Sequence, residues 1–269
     1  MARFERVLMV GSLGWLSVAG LAQPVAVPSG AVQTGPAQTA VAAKVPMDVE
    51  KQIAGMQAKL NDWPQLGRYG AENAALAPVG KGELRVVFYG DSITDAWGRR
   101  PDTGTFFPGK PFVNRGIGGQ TTAQMVVRFQ QDVVNLKPTV VVILAGTNDV
   151  AGNTGPMTPA MTEDNFRAMG DMAKAAGIKL VIASILPAGD FPWHHGMEPA
   201  PKIKGLNTWL QEYCEKVGAT YVDYYASMAD EAGAMKPGIS KDGVHPNEKG
   251  YAMMGPLVLT GIEKALKRP

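Results

Sequence analysis

Four short blocks hold the residue types that hydrolysis through an acyl-enzyme needs: Gly90-Asp91-Ser92, Gly116 to Thr122, Gly146-Thr147-Asn148-Asp149 and Asp242-Gly243-Val244-His245. The chain has 3 histidines, and two of them, His194 and His195, are adjacent in a Pro- and Gly-rich segment. The third, His245, follows Asp242 by a spacing at which a tight turn sets a carboxylate on the imidazole. Such a pair takes a proton from a hydroxyl nucleophile, and Ser92, on a sharp turn after an apolar run, suits that role. The chemistry these types allow is hydrolysis through an acyl-enzyme. Ser92 is the expected nucleophile, His245 the base, and Asp242 the group that holds the imidazole tautomer. The oxyanion of the intermediate needs donors, expected from the backbone N–H groups of Ser92 and Gly119 and the Asn148 amide. A glycine at 119 lets the backbone approach the reacting carbonyl with no Cβ in the way.

These residues need elements to place them. Leu84 to Tyr89 is β-branched and aromatic and ends at Gly90. Phe112 to Asn114 reads as a short second strand, Thr139 to Ala145 and Lys179 to Leu186 as strands buried on both faces, and Thr220 to Tyr224 as a last one. Helical spacing covers Thr121 to Leu136, Asn165 to Ala176, Ile203 to Val217 and Tyr251 to Leu266, the last with a disturbance expected at Pro256. Strand and helix in alternation predict an α/β fold, a parallel sheet covered by helices on both faces. Sheets of this kind bind ligands beyond the carboxyl ends of their strands. Three of the blocks follow the first three strands, and Asp242 and His245 lie between the last strand and the last helix. Taken singly, each block reads as a capped Gly-rich turn; four of them at one sheet edge read as a site.

Ile93 and Thr94 follow the serine, so it is not in a G-x-S-x-G elbow, which argues against the ordinary α/β-hydrolase arrangement. With all four blocks in order, the chain from Arg85 to Leu266 resembles the SGNH (GDSL-type) esterase and lipase family. The resemblance implies a flavodoxin-like three-layer α/β/α sandwich and a serine esterase without metal or organic cofactor. It implies the four name-giving roles for Ser92, Gly119, Asn148 and His245, with Asp242 completing the triad. Gly118 is the alternative to Gly119, and the glycine directly before Gln120 is preferred.

The 269 residues carry a net charge of +2, and 45% are hydrophobic, as in a chain with one sizeable core. No basic stripe interleaved with aromatics points to nucleic acid. Arg3 and Arg6, the apolar run Val7 to Leu21 and the small residues before position 23 read as an export signal cut after Ala22. The alternative is an uncleaved anchor, for which the run is short against a span of about 20 residues. The expected organisation is a signal at 1–22, a flexible Ala/Pro-rich linker at 23–47 and a single hydrolase domain at 48–269. That implies a secreted or periplasmic protein with no stable membrane insertion after cleavage. Cys214, the only cysteine, can form no intrachain disulfide and reads as a buried apolar residue.

Trp193, in the segment Phe191 to Gly196, and Trp97 are candidates to stack on a sugar ring or an acyl group; the alternative for each is core packing. Adjacent histidines point in different directions, so no metal site is expected from His194 and His195. Asp149 suits a role in fixing the Asn148 loop, and Arg99-Arg100 reads as a solvated turn. The expected substrate is a short-acyl carboxylic ester, with acetyl groups on carbohydrate as one form. A lysophospholipase-like lipid esterase is one alternative, and an O-acyltransferase using the same triad is the alternative in a different enzyme class. A non-catalytic binding module is disfavoured by the complete residue set.

Overall fold

The computed structural model describes residues 47–268. The expected export signal and most of the linker fall outside that range. Five strands form the sheet: β1 (Val86–Gly90), β2 (Phe112–Gly116), β3 (Val140–Leu144), β4 (Lys179–Ala183) and β5 (Thr220–Val222). All are parallel, in the order β2-β1-β3-β4-β5. Nine α-helices complete the described chain: α1 (Met47–Asn61), α2 (Gly70–Ala75), α3 (Ser92–Ala96), α4 (Thr122–Asp132), α5 (Thr147–Val150), α6 (Pro159–Ala175), α7 (Pro199–Val217), α8 (Tyr225–Met228) and α9 (Glu248–Lys267).

Alternate strand residues point to opposite sheet faces, and each face has its own core. Val87, Tyr89, Val141, Ile143 and Ile182 pack under α4, α6 and α7 against Met125, Phe129, Phe166, Met169, Leu206 and Leu210. Val86, Phe88, Val142, Leu144 and Val181 pack under α3 and α9 against Ile93, Tyr251, Met254, Val258 and Ile262. This is the three-layer α/β/α arrangement expected from the alternating pattern.

Local signals set several boundaries differently from the periodicity. Helix α6 begins at Pro159 because Thr158 caps it, accepting from the Met161 N–H, and proline suits the first helical position. Pro199 opens α7 likewise. Asn247 starts α9 by accepting from the N–H groups of Lys249 and Gly250, and the helix runs through Pro256 without a break. Helix α4 stops at Asp132, and a 3-10 turn at Val134–Leu136 with left-handed Lys137 leads to Pro138.

Residues 62–73 form a strap laid along α4 and the end of β2. Gln120 Nε2 donates to Pro64 O at 2.8 Å, Gln124 Nε2 to Trp63 O at 2.6 Å and Gln131 Nε2 to Leu66 O at 2.7 Å. The buried Tyr69 hydroxyl donates to Gly116 O. Arg99, expected in a solvated turn, is part of the same packing. It donates to the Tyr69 hydroxyl at 2.8 Å, Asp95 Oδ1 at 2.6 Å and Asn114 O at 3.0 Å. Arg99 and Arg100 lie in an exposed turn, as expected, and Arg99 is in addition tied to three acceptors there.

Candidate active site

Strand β1 ends at Gly90, where a Cβ would lie 2.6 Å from Leu144 O. Only glycine lets β1 turn this close to β3. Asp91 then caps α3, accepting from the Ile93 N–H at 2.9 Å, which puts Ser92 in the first helical turn at the carboxyl edge of the sheet. Ser92 Oγ lies 2.9 Å from His245 Nε2. His245 Nδ1 lies 2.6 Å from Asp242 Oδ2. Asp242 Oδ1 also accepts from the N–H groups of Val244 at 3.0 Å and His245 at 2.7 Å. The turn therefore holds the carboxylate from three sides. Burial alone would raise the Asp242 carboxyl; the His245 and Val244 N–H groups and the imidazole outweigh it and hold the group below its ordinary value. The network places Nδ1–H toward Asp242 and leaves Nε2 free to accept from Ser92.

The other blocks converge on the same point. Asn148 Nδ2 donates to Gln120 O at 2.9 Å and to Asp91 Oδ2 at 3.2 Å. Its Oδ1 accepts from Asn153 Nδ2 at 2.6 Å, so the amide orientation is determined by its partners. Gly119 has φ +78°, and a Cβ there would meet nothing within 4 Å. In this ligand-free chain its glycine is needed for the left-handed backbone rather than for room. Asp149 does fix the Asn148 loop. Buried, it accepts from the Thr122 N–H at 3.0 Å, from the Thr122 hydroxyl and from Thr162 Oγ1 at 3.3 Å, linking α5 to α4 and α6.

The two tryptophan candidates separate. Trp193 is 44% exposed, its ring centroid is 5.8 Å from that of His245, and its Nε1 donates to Asn153 Oδ1 at 2.9 Å. Trp97 is 4% exposed and sits among Phe88, Phe106, Phe107 and Tyr251. It fills the α3–α9 side of the core, which corrects its candidacy as a stacking platform. His194 Nδ1 is engaged with Ala151 O at 2.6 Å and His195 Nδ1 with Asp190 Oδ2 at 2.6 Å. Among the described residues no group of three or more His, Cys, Asp or Glu side chains is placed to hold a metal ion. Cys214 is buried away from these groups, and burial pushes its thiol up to about 12.

Three residues at the site carry no individual sequence signal. Asp91 is fully buried, and burial pushes its carboxyl up to about 6 against the Ile93 N–H and the charge of His245. Asn153 joins Trp193 to Asn148. Arg128 is buried behind the first two blocks. Only the Asp-Ser pairing after a strand, an N-cap signature, hints at the first of these.

The arrangement contains a hydroxyl, an imidazole and a carboxylate in line, with an oriented amide and a glycine loop beside them. The sequence pattern of the GDSL-like Lipase/Acylhydrolase family matches residues 88–253. The crystal structure of a GDSL-like lipase from Bacteroides thetaiotaomicron is similar, with 45% identity and a TM-score of 0.71 over 75% of this chain and 98% of that one. An acetylxylan esterase from Geobacillus stearothermophilus is 27% identical over 214 residues, 68% of this chain and 95% of that protein. A crystal structure of an acetylxylan esterase from the same organism, at 23% identity and a TM-score of 0.56, shares the fold.

Proposed function

The chain belongs to the GDSL-like lipase/acylhydrolase family and is a carboxylic ester hydrolase; from that premise we propose that it cleaves short-acyl esters, acetyl groups on carbohydrate among them, through an acyl-enzyme on Ser92. One observation carries this reading: Ser92 Oγ, His245 and Asp242 are joined by contacts of 2.9 Å and 2.6 Å.

Ser92 Oγ attacks the ester carbonyl as its proton passes to His245 Nε2. Asp242 stabilises the imidazolium that forms. The negative charge on the former carbonyl oxygen is met by the N–H groups of Ser92 and Gly119 and by Asn148 Nδ2. Both Nδ2 hydrogens of Asn148 are engaged in the ligand-free chain. The longer contact, to Asp91, is the one exchanged for the oxyanion. Collapse of the intermediate expels the alcohol, which takes its proton from His245. Water, deprotonated by the same imidazole, then attacks the acyl-enzyme and releases the acid and Ser92.

Two facts favour an acetylated sugar as substrate. A relative similar over most of this chain is an acetylxylan esterase. An exposed indole also lies beside the imidazole that serves the leaving alcohol. Rates on p-nitrophenyl esters of increasing chain length, alongside acetylated xylan, test the reading. We expect a steep fall beyond short acyl groups and acetate release from xylan. A preference for long acyl chains favours a lipid substrate, and product formed on an added alcohol favours acyl transfer. Export is proposed from the basic start and apolar run at positions 3–21; the N-terminal sequence of the mature protein checks it.

A further inference from the structure

Arg128 has no exposed surface. Burying a guanidinium is costly unless its donors are matched. Four acceptors meet it. Nη2 donates to Gly90 O at 2.9 Å, Nη1 to Arg115 O at 2.9 Å and Asp132 Oδ2 at 3.2 Å, and Nε to Gln120 Oε1 at 2.5 Å. The plane lies over the Tyr89 ring, 4.2 Å from its centroid.

Three of these acceptors have a bearing on the chemistry. Gly90 ends β1, two residues before Ser92. Arg115 is the penultimate residue of β2, next to the glycine loop. Gln120 directly follows Gly119, and its carbonyl accepts from Asn148 Nδ2 at 2.9 Å. One rigid cation therefore spans the segments that carry the nucleophile, the backbone oxyanion donor and the support of the amide donor. Asp132, also buried, balances the charge and accepts from Asn73 Nδ2 at 2.7 Å. A buried ion pair is weak evidence for stability, because apolar residues of similar volume often do as well. What apolar residues cannot do is tie two strand-end carbonyls and the Gln120 side-chain oxygen to one planar group.

We propose that Arg128 is a positioning residue for ester cleavage. It keeps the Ser92 turn in register with the Gly119 and Asn148 oxyanion donors. This rests on the acyl-enzyme reading of the site. Lysine retains the charge but has no planar fork, so Arg128→Lys separates geometry from charge.

The test compares wild type and Arg128→Lys on p-nitrophenyl acetate, with active sites counted by a fluorophosphonate and folding checked by circular dichroism. A boronic acid that forms a tetrahedral adduct on serine supplies the second readout. A displacement of reacting groups on the order of 1 Å costs up to about 100-fold, so we expect kcat per titrated site to fall about 10–100-fold. KM should stay within about twofold, and boronate affinity should weaken in parallel with kcat, since both need the oxyanion donors in place. A folded variant with wild-type kcat per site, or unchanged boronate affinity, overturns the proposal. If Arg128→Lys does not fold, Gln120→Met replaces it. That change removes the Nε acceptor and the Gln120 bond to Pro64 O and leaves the Gly90, Arg115 and Asp132 contacts. Gln124→Met, which removes a strap bond and the acceptor of the Thr121 N–H but no Arg128 contact, is the control and should keep wild-type kcat. A loss of about 10-fold in kcat is expected there, within the range that small misplacements produce, and wild-type kcat is the overturning result. Ser92→Ala run beside them separates the two readings. If it stays active, the serine mechanism fails; if it is dead while Arg128→Lys is normal, only the positioning role fails.

Discussion

The indole of Trp193 leans on the imidazole of His245, with ring centroids 5.8 Å apart and planes inclined by 42°. Phe191 backs it at 5.3 Å, and Asn153 holds its N–H at 2.9 Å. Under the proposed mechanism, a ring fixed beside His245 is placed to meet the leaving group rather than the acyl group. Trp193→Ala should therefore raise KM for an acetylated xylo-oligosaccharide by up to about tenfold, the scale of one aromatic contact. The effect on p-nitrophenyl acetate turnover should be smaller. Trp193→Phe keeps a ring face without the N–H. An equal loss on both substrates in both variants would mean that Trp193 acts through Asn153 instead.

Ser92→Ala should abolish turnover, by about a million-fold in kcat, and leave the fold intact, because the hydroxyl is needed for chemistry and not for packing. Asp242→Asn should cost about 10⁴ in kcat by setting the wrong imidazole tautomer. The double variant His194→Ala, His195→Ala should retain the triad, since those rings contact Ala151 and Asp190 instead. Steady-state rates with fluorophosphonate labelling check all three. Labelling away from Ser92 would reassign the nucleophile, and loss confined to the double variant would reassign the base.

Asn148→Ala should lower kcat by about 10²–10³ with KM nearly unchanged, because its amide is asked to meet charge present only in the transition state. Asn153→Ala leaves the amide in place and removes the partner that orients its oxygen, together with the acceptor of the Trp193 N–H. Its kcat should fall in the same direction and by less. A large rise in KM at constant kcat would show instead that Asn148 binds the ground-state ester.

Asp91 should leave a mark on the pH dependence of stability. Its ordinary carboxyl value is 3.8, and burial pushes it up to about 6 in the folded chain. Between those values the folded state holds a proton that the unfolded chain has released. Its contribution to stability therefore falls as pH rises through that window. Asp242 acts in the opposite sense: held low, it contributes above its unfolded value and loses that contribution as pH falls through its folded value. Asp91→Asn keeps an acceptor for the Ile93 N–H and cannot titrate. Urea unfolding at pH values from 4 to 7 should show the variant gaining on the wild type as pH rises. A constant difference would show that Asp91 does not titrate in this range.

Cys214 should be silent toward thiol reagents in the native enzyme. Its thiol is buried and pushed up to about 12, so almost no thiolate is present at neutral pH. Iodoacetamide should label it only after denaturation and leave esterase activity unchanged. Rapid labelling of folded protein would contradict the buried placement.

The blocks of the candidate site were legible because their geometry is local. Asp242 reaches His245 within one turn, so spacing alone predicts that contact, while the Asp-Ser pair after a strand only hints at the Asp91 cap of α3. The parallel sheet was legible for a similar reason. Val140 to Leu144 and its neighbours are apolar runs whose burial on both faces shows in composition. Helix starts at Thr158-Pro159 and Glu198-Pro199 carried proline signals that apolar periodicity passes over.

Other features depend on segments far apart in the chain. Arg128 reads as an ordinary polar position on an amphipathic helix; it becomes a buried hub only because β1, β2 and the glycine loop close around it. Arg99 stays exposed, and only the strap, by bringing Tyr69 to it, gives its guanidinium a fixed partner. Composition does not distinguish Trp97 from Trp193, yet α9 covers the first and leaves the second beside His245. The sequence alone determined residue types, strand order along the chain and local turns, since these depend on near neighbours. Tertiary structure decided which polar groups are buried, which aromatic lies beside His245 and which groups brace the blocks at the sheet edge, because burial is set by whatever distant segment packs above a residue.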